Sequence, residues 1–219
     1  MSSSTDSSEK GPTPLGDLRT GAEGARPAPS AVKAAIRRRV LAARDALDRD
    51  TRIRLSAAIF AKIADLDAFR RAATVAAYSS FGSEPVTAPF LETVLALDKA
   101  LVLPRIRRET RRLDLHRVRD LDSELEPGVW GIREPNPATC PPVPLRAIDF
   151  LLVPGVAFDI RGGRMGYGGG YYDRLMAECD HGPALIAAAF EVQIVAEVPM
   201  GPGDRRVDRV ITERCAYPA

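Results

Sequence analysis

The sequence predicts an α/β protein, a mostly parallel sheet flanked by helices in a Rossmann-like three-layer arrangement, with an N-terminal helical segment in front of it. Three observations carry this expectation. Short, near-continuous apolar runs recur along the chain, helical stretches and turn residues separate them, and the ordered part opens on two helices with no strand between them. A parallel strand covered on both faces has no polar side to alternate with, so it reads as an apolar run.

Residues 1 to about 30 are rich in Ser, Gly, Pro and Thr with scattered acids. Such a segment buries too little apolar surface to offset its ordering entropy, so 1–30 is expected to be a disordered tail. The basic start and apolar stretch of a secretory signal are missing, and Asp6, Glu9, Asp17 and Glu23 argue against a transit peptide. Residues 31–219 are expected to form a single α/β domain. Ala31 to Ala46 is rich in Ala, Arg and Leu, with Val32, Ile36, Val40 and Ala43 on one helical stripe. A second helix is expected from about Asp50 to Ala64, with Ile53, Ala57, Phe60 and Ile63 or Ala64 on one side. Thr74–Tyr78, Ala100–Leu103, Phe150–Val153, Ala184–Ala189 and Val207–Thr212 read as strands, and Leu113–Val118 as a weaker edge strand. Thr87 is a candidate cap for a helix reaching Leu97, and Gly170 to Glu178 can start another.

Charge and cysteine usage narrow the function classes. With 31 basic and 29 acidic residues the net charge is +2, which gives no global field for nucleic acid or a membrane, although Arg105 to Arg119 is locally basic. No apolar run is long enough to span a bilayer. Cys140, Cys179 and Cys215 lie far apart, and His116 and His181 stand alone, so neither a disulfide framework nor a zinc site is readable. A reducing, cytoplasmic location is expected, and the two histidines are expected to be solvated or packed.

In an open parallel sheet, ligands bind beyond the carboxyl ends of the strands. Ser79 to Val86, Pro104 to Arg108 and Pro154 to Asp173 all follow expected strands. The last is the most informative, because six glycines fall between positions 162 and 170 and a helix-forming stretch follows. Glycines allow positive φ and close approach of a ligand, and N–H groups at a helix start favour a phosphate. Arg164 adds a forked cation. Neither common nucleotide fingerprint is present: no Gly-Lys-Ser/Thr occurs, and the third glycine required after Gly166 or Gly168 is Tyr171 or Asp173. The alternative is a flexible glycine loop without a ligand. Asp173 stands where a phosphate-bridging metal would be held, and Gly203-Asp204-Arg-Arg-Val-Asp208 offers a second carboxylate; turn, cap and surface roles are the alternatives for these aspartates.

At Val153-Pro-Gly-Val-Ala-Phe-Asp159 and Gly163-Arg-Met-Gly-Tyr-Gly-Gly-Gly-Tyr-Tyr-Asp-Arg174 the chain resembles the 5-formyltetrahydrofolate cyclo-ligase family. Lys33-Ala-Ala-Ile-Arg37, Tyr78 to Thr87, Leu103-Pro-Arg105, Gly131-Ile-Arg-Glu-Pro135 and Gly203 to Asp208 follow in the family's order, so the likeness runs from about Val32 to Glu213. The resemblance implies an ATP- and Mg²⁺-dependent closure of 5-formyltetrahydrofolate to 5,10-methenyltetrahydrofolate, with ADP and phosphate released. It implies ATP contacts from Lys33, Arg37, Arg164, Gly166, Gly168, Gly169, Gly170 and Tyr172. The reduced folate is assigned to Glu84 and to Tyr167, Gly168, Gly169, Gly170 and Tyr171, and Mg²⁺ to Asp173 and Asp204. Lys33, Arg164 and Asp173 are the implied catalytic residues.

Trp130 is a candidate wall of the folate site, with a core position as its alternative; for Glu84 the alternative is an exposed loop acid. Arg133 and Glu134 receive no role. Some family members carry basic residues where this chain has Tyr167 and Gly169, and Met165 stands where leucine is frequent. A monomer acting on small molecules is expected, with neither nucleic acid nor membrane as partner. Two rival readings stay open: a same-fold enzyme with another phosphorylated or folate-like substrate, and an RNA-binding module led by Arg105 to Arg119, where the aromatic residues of a base-stacking surface are missing.

Overall fold

Successive residues of each central strand enter two different apolar layers, as a sheet buried on both faces demands. The computed structural model describes Met1 and residues 29–179 and 182–217. The expected tail at 1–30 therefore falls almost wholly outside the described residues, as does His181. Helices α1 (Pro29–Asp45), α2 (Arg49–Ala64) and α3 (Asp67–Arg71) precede β1 (Thr74–Ala76). Then come α4 (Ala88–Ala96), β2 (Ala100–Arg107), β3 (Arg112–Val118), β4 (Leu125–Pro127), β5 (Arg133–Pro135), β6 (Phe150–Leu152), β7 (Ala157–Asp159) and β8 (Arg164–Met165). The chain ends with α5 (Tyr171–Ala177), β9 (Ala184–Ala188), β10 (Ile194–Val195), β11 (Arg209–Ile211) and β12 (Ala216–Tyr217).

A seven-stranded sheet has the order β12-β11-β9-β6-β1-β2-β3. Its five inner strands pair in parallel, and β12 and β3 add on antiparallel at the two edges. Val75, Leu101, Phe150, Ile186 and Ile211 face one layer with α2, α3 and α4. Ala76, Val102, Leu151, Leu185 and Val210 face the other, where Leu175 and Met176 of α5 pack. This is the three-layer architecture that the apolar runs imply. A smaller sheet, β10-β7-β8, packs against Val40 of α1 through Val156, Ala157 and Met165.

The strand order reverses at β1, which has β2 on one side and β6 on the other. The crevice beyond their carboxyl ends is where this topology leaves room for a ligand. Strand β2 runs on to Arg107 instead of ending at Leu103, as a two-stranded hairpin with β3. Pro104, which has no N–H, is tolerated because β1 has already ended at its level. The basic stretch on this hairpin is largely neutralised: Arg105, Arg107, Arg112 and Arg119 face Glu126, Asp114, Glu178 and Glu124. His116 is a packed histidine whose Nδ1 lies 2.8 Å from the Cys140 carbonyl oxygen.

Phe150 is fully buried and meets Phe69 edge-on with ring centroids 5.5 Å apart. Phe150→Ala is expected to cost about 3–5 kcal/mol, read as a lower urea midpoint at unchanged slope.

Candidate active site

Asp159 anchors the base of the glycine loop. Its carboxylate is fully buried and accepts N–H bonds from Arg161 (2.9 Å), Gly163 (2.9 Å) and Val198 (2.9 Å). Burial pushes this carboxyl upward, but the backbone N–H groups and Arg206 win and hold it below the ordinary carboxylate range. Gly162 has φ +77, and a Cβ there would stand 2.3 Å from the Val207 carbonyl oxygen, so only glycine fits the turn. Gly170, at φ +70, turns the loop into α5.

Arg164 closes the loop from below. Its side chain is 2 % exposed and grips Asp173 in the first turn of α5. It also donates to the Pro154 carbonyl oxygen at 3.3 Å, while its Nε has no partner. Helix α1 lies across the other side of the loop. Lys33 Nζ is 3.0 Å from Asp204 Oδ2, and Arg37 Nε donates to the Gly166 carbonyl oxygen at 3.1 Å. These two cations share one face because they stand four residues apart on a helix. Burial would raise the Asp204 carboxyl, but the Gly201 N–H, Lys33 and Arg164 hold it low.

A cleft of about 410 Å³ opens beyond β1, β2 and β6. It brings together Glu84, Arg164, Gly166, Tyr167, Gly168, Gly169, Gly170, Tyr171, Tyr172 and Asp173. Lys33, Arg37 and Asp204 are not on its wall; they stand against the loop from the α1 side.

Glu84 is 3 % exposed, so it is not the exposed loop acid of the alternative reading. Its loop is fixed by reciprocal bonds: Ser80 N–H donates to Thr87 Oγ1 at 2.9 Å, and Thr87 N–H to Ser80 Oγ at 3.2 Å. The Thr87 hydroxyl is thereby used on this loop and makes no capping bond to α4. The Glu84 carboxylate accepts from Phe81 N–H at 3.2 Å and from the Tyr167 hydroxyl at 3.0 Å. Burial pushes its pKa up to about 7, against the pull of Phe81 N–H, Arg44 and Tyr167. Burial also raises the phenols of Tyr78, Tyr167 and Tyr172, so they remain neutral donors.

Arg44 is a candidate site residue absent from the expectations drawn from the sequence. It is 3 % exposed and donates to Ser83 Oγ at 2.9 Å and to the Tyr167 hydroxyl at 2.7 Å, which places the cation facing Glu84. The signal was present, because Arg44 lies four residues after Val40 on the buried stripe of α1. Trp130 is 63 % exposed, not core; it lines the cleft and meets Tyr171 edge-on at 6.2 Å. It sits at φ 59 in the turn Val129–Gly131. Glu134, left without a role by the sequence, is 3 % exposed on the same cleft. Among the described residues, no group of three or more His, Cys, Asp or Glu is placed to hold a metal.

Comparison with known proteins gives one answer. The model of the 5-formyltetrahydrofolate cyclo-ligase family matches residues 29–213. A 5-formyltetrahydrofolate cyclo-ligase of Mycolicibacterium smegmatis is 32 % identical over 143 residues, covering 64 % of this chain and 74 % of that protein. One of Mus musculus is 26 % identical over 176 residues, covering 77 % and 87 %. The NMR structure of Aquifex aeolicus 5,10-methenyltetrahydrofolate synthetase superposes with a TM-score of 0.75 at 33 % identity, covering 85 % of this chain and 92 % of that one. With a match spanning nearly all the described residues and a fold shared at this level, the chain belongs to the 5-formyltetrahydrofolate cyclo-ligase family.

Proposed function

We propose that the protein uses ATP to close 5-formyltetrahydrofolate to 5,10-methenyltetrahydrofolate, releasing ADP and phosphate. The observation that carries this reading is a single cleft in which the glycine loop and the buried, incompletely satisfied Arg164 adjoin the buried carboxylate of Glu84. The loop side suits a polyphosphate: loop N–H groups at the start of α5, Arg164, and Lys33 and Arg37 behind the loop. The Glu84 side suits the reduced pteridine, whose paired N–H groups match a carboxylate. Tyr167, Tyr171 and Trp130 provide the flat apolar walls between.

A formamide oxygen is a poor leaving group. Transfer of the γ-phosphoryl group to it makes the carbon electrophilic, N10 of the folate attacks that carbon, and phosphate departs. Phosphoryl transfer asks the protein mainly for position and charge stabilisation. Arg164, Lys33 and Arg37 meet the charge on the phosphates, and the loop holds the γ-phosphate against the formyl oxygen. No protein nucleophile is required.

Asp173 and Asp204 are the residues that would hold Mg²⁺. Both carboxylates act electrostatically on Arg164 and each is ion-paired, Asp173 with Arg164 and Asp204 with Lys33. Two hard oxygen donors beside a polyphosphate fit an ion that completes its shell with phosphate oxygens and waters. When bound, Mg²⁺ supplies neutralisation of charge between the phosphates.

The same reading takes 31–219 as one working domain, monomeric and cytoplasmic. The cytoplasmic part is supported by the free thiols of Cys140 and Cys215, which suit a reducing compartment.

Mixing the protein with 5-formyltetrahydrofolate, ATP and Mg²⁺ is expected to produce the methenyl absorbance with one ADP per product. No absorbance change with a folded protein would sink the reading. Asp173→Asn, which leaves the buried Arg164 a hydrogen-bond acceptor, is expected to lower kcat at least about 100-fold while leaving the circular dichroism spectrum unchanged; wild-type turnover in Mg²⁺ would remove its assignment. Glu84 supplies a pH test. Its pKa of about 7 lies above the ordinary 4.5, so ionising it costs stability as pH rises from about 4.5 to 7, whereas the folate needs the ionised acceptor. Folate affinity, measured calorimetrically without ATP, is expected to rise with pH up to about 7 and then level off. Glu84→Gln should flatten that profile; an identical slope in the variant would dissociate Glu84 from the folate.

A further inference from the structure

Glu134 is a buried carboxylate on the cleft that the chemistry above leaves without a task. It stands on β5, is 3 % exposed, and its Oε1 has no hydrogen-bond partner. Among the described residues no ion pair reaches it; the nearby Arg105 is engaged by Glu126 at 2.7 Å and by the Pro135 carbonyl oxygen at 2.8 Å. The fold reserves its place. A Cβ on Gly128, in the turn joining β4 to β5, would stand 2.4 Å from Glu134 Cδ, so only glycine leaves room for the side chain. Glu84, the other buried carboxylate of the cleft, has partners on both oxygens. A buried acceptor left open on a ligand cleft calls for a donor from the ligand.

Ring closure supplies that donor. N10 of 5-formyltetrahydrofolate carries one hydrogen and the methenyl product carries none there. We propose that Glu134 is the general base that takes the N10 proton, an inference that rests on the function proposed above. The N10 lone pair forms the N10–C bond to the activated formyl carbon. The N10–H bond breaks, its electron pair stays on N10, and the proton moves to Glu134 Oε1. The C–O bond to the phosphorylated oxygen breaks with its electron pair leaving on phosphate, which completes the N5–C–N10 amidinium. Glu134 then gives up its proton to phosphate or solvent.

Burial pushes the Glu134 carboxyl up from its ordinary value, against the N–H groups of Val129 and Ile106 and the charges of Arg105 and Arg108. A base drawn toward neutrality suits proton transfer at physiological pH.

The test follows methenyl absorbance and ADP release together in wild type, Glu134→Gln and Glu134→Ala, with 5-formyltetrahydrofolate, ATP and Mg²⁺. Glu134→Gln keeps the shape and an acceptor oxygen but cannot take the proton. Its kcat is expected to fall about 10²–10⁴-fold with both KM values near wild type. ADP release should then exceed methenyl formation, because water hydrolyses the phosphorylated formyl group back to 5-formyltetrahydrofolate and phosphate. Formate should restore part of the turnover of Glu134→Ala, which also decides the matter if the glutamine variant does not fold. A Glu134→Gln kcat near that of wild type, a loss confined to the folate KM, or an alanine variant that formate leaves inactive overturns the proposal. Wild type that turns over beside an equally active glutamine variant sinks this inference alone; wild type that forms no methenyl product sinks the proposed function and this inference with it.

Discussion

The grip of Arg164 on Asp173 is the interaction around which the site is arranged. A guanidinium with 2 % of its side chain exposed is expensive to keep away from water unless it is paired, and here the pairing joins β8 to the first turn of α5. The glycine loop between those elements is therefore held at both ends. Asp159 secures its base through three backbone N–H groups, and Arg37 bonds the Gly166 carbonyl oxygen from outside. A loop of many glycines would otherwise carry a large ordering entropy, which a ligand would have to offset on binding. The fold makes that payment in advance with buried charge.

A second pattern runs through the cleft and the loop beside it: each acid is answered differently. Asp159 is answered by backbone N–H groups, Asp173 by Arg164, Asp204 by Lys33 and Gly201 N–H, and Glu84 by a phenol, a backbone N–H and the facing charge of Arg44. Glu134 keeps an oxygen open. Asp159 and Asp204, held by strong donors, stay ionised, whereas Glu84 and Glu134 are drawn upward by burial. One cleft thus holds fixed charge on the loop side and titratable carboxylates elsewhere on its wall, the division that phosphoryl transfer next to proton transfer requires.

Helix α1 shows how one element serves both ends. Lys33 and Arg37 meet the loop and the Asp204 segment, Val40 packs beneath β7 and β8, and Arg44 reaches Ser83 and Tyr167 beside Glu84. Read along the chain, the first two stand out through the family's motif. Arg44 does not, because a cation beside other arginines reads as a solvated face until its burial is known.

The sequence alone determined the sheet, because strands buried on both faces must be apolar runs, and it determined the glycine loop, because few other residues take the positive φ of Gly162, Gly168 and Gly170. It also located Asp173 and Arg164, which lie within the same short segment as the loop. What tertiary structure decided is what depends on distant segments meeting. Glu84 is a buried acceptor only because Ser80 and Thr87 fold its loop under α1 and α2; Trp130 is an exposed wall because its turn adopts positive φ beside Tyr171; and Glu134 has an open oxygen because Gly128 clears its place. Burial and partnership belong to pairs of residues far apart in the chain, and no local pattern of residue types encodes them.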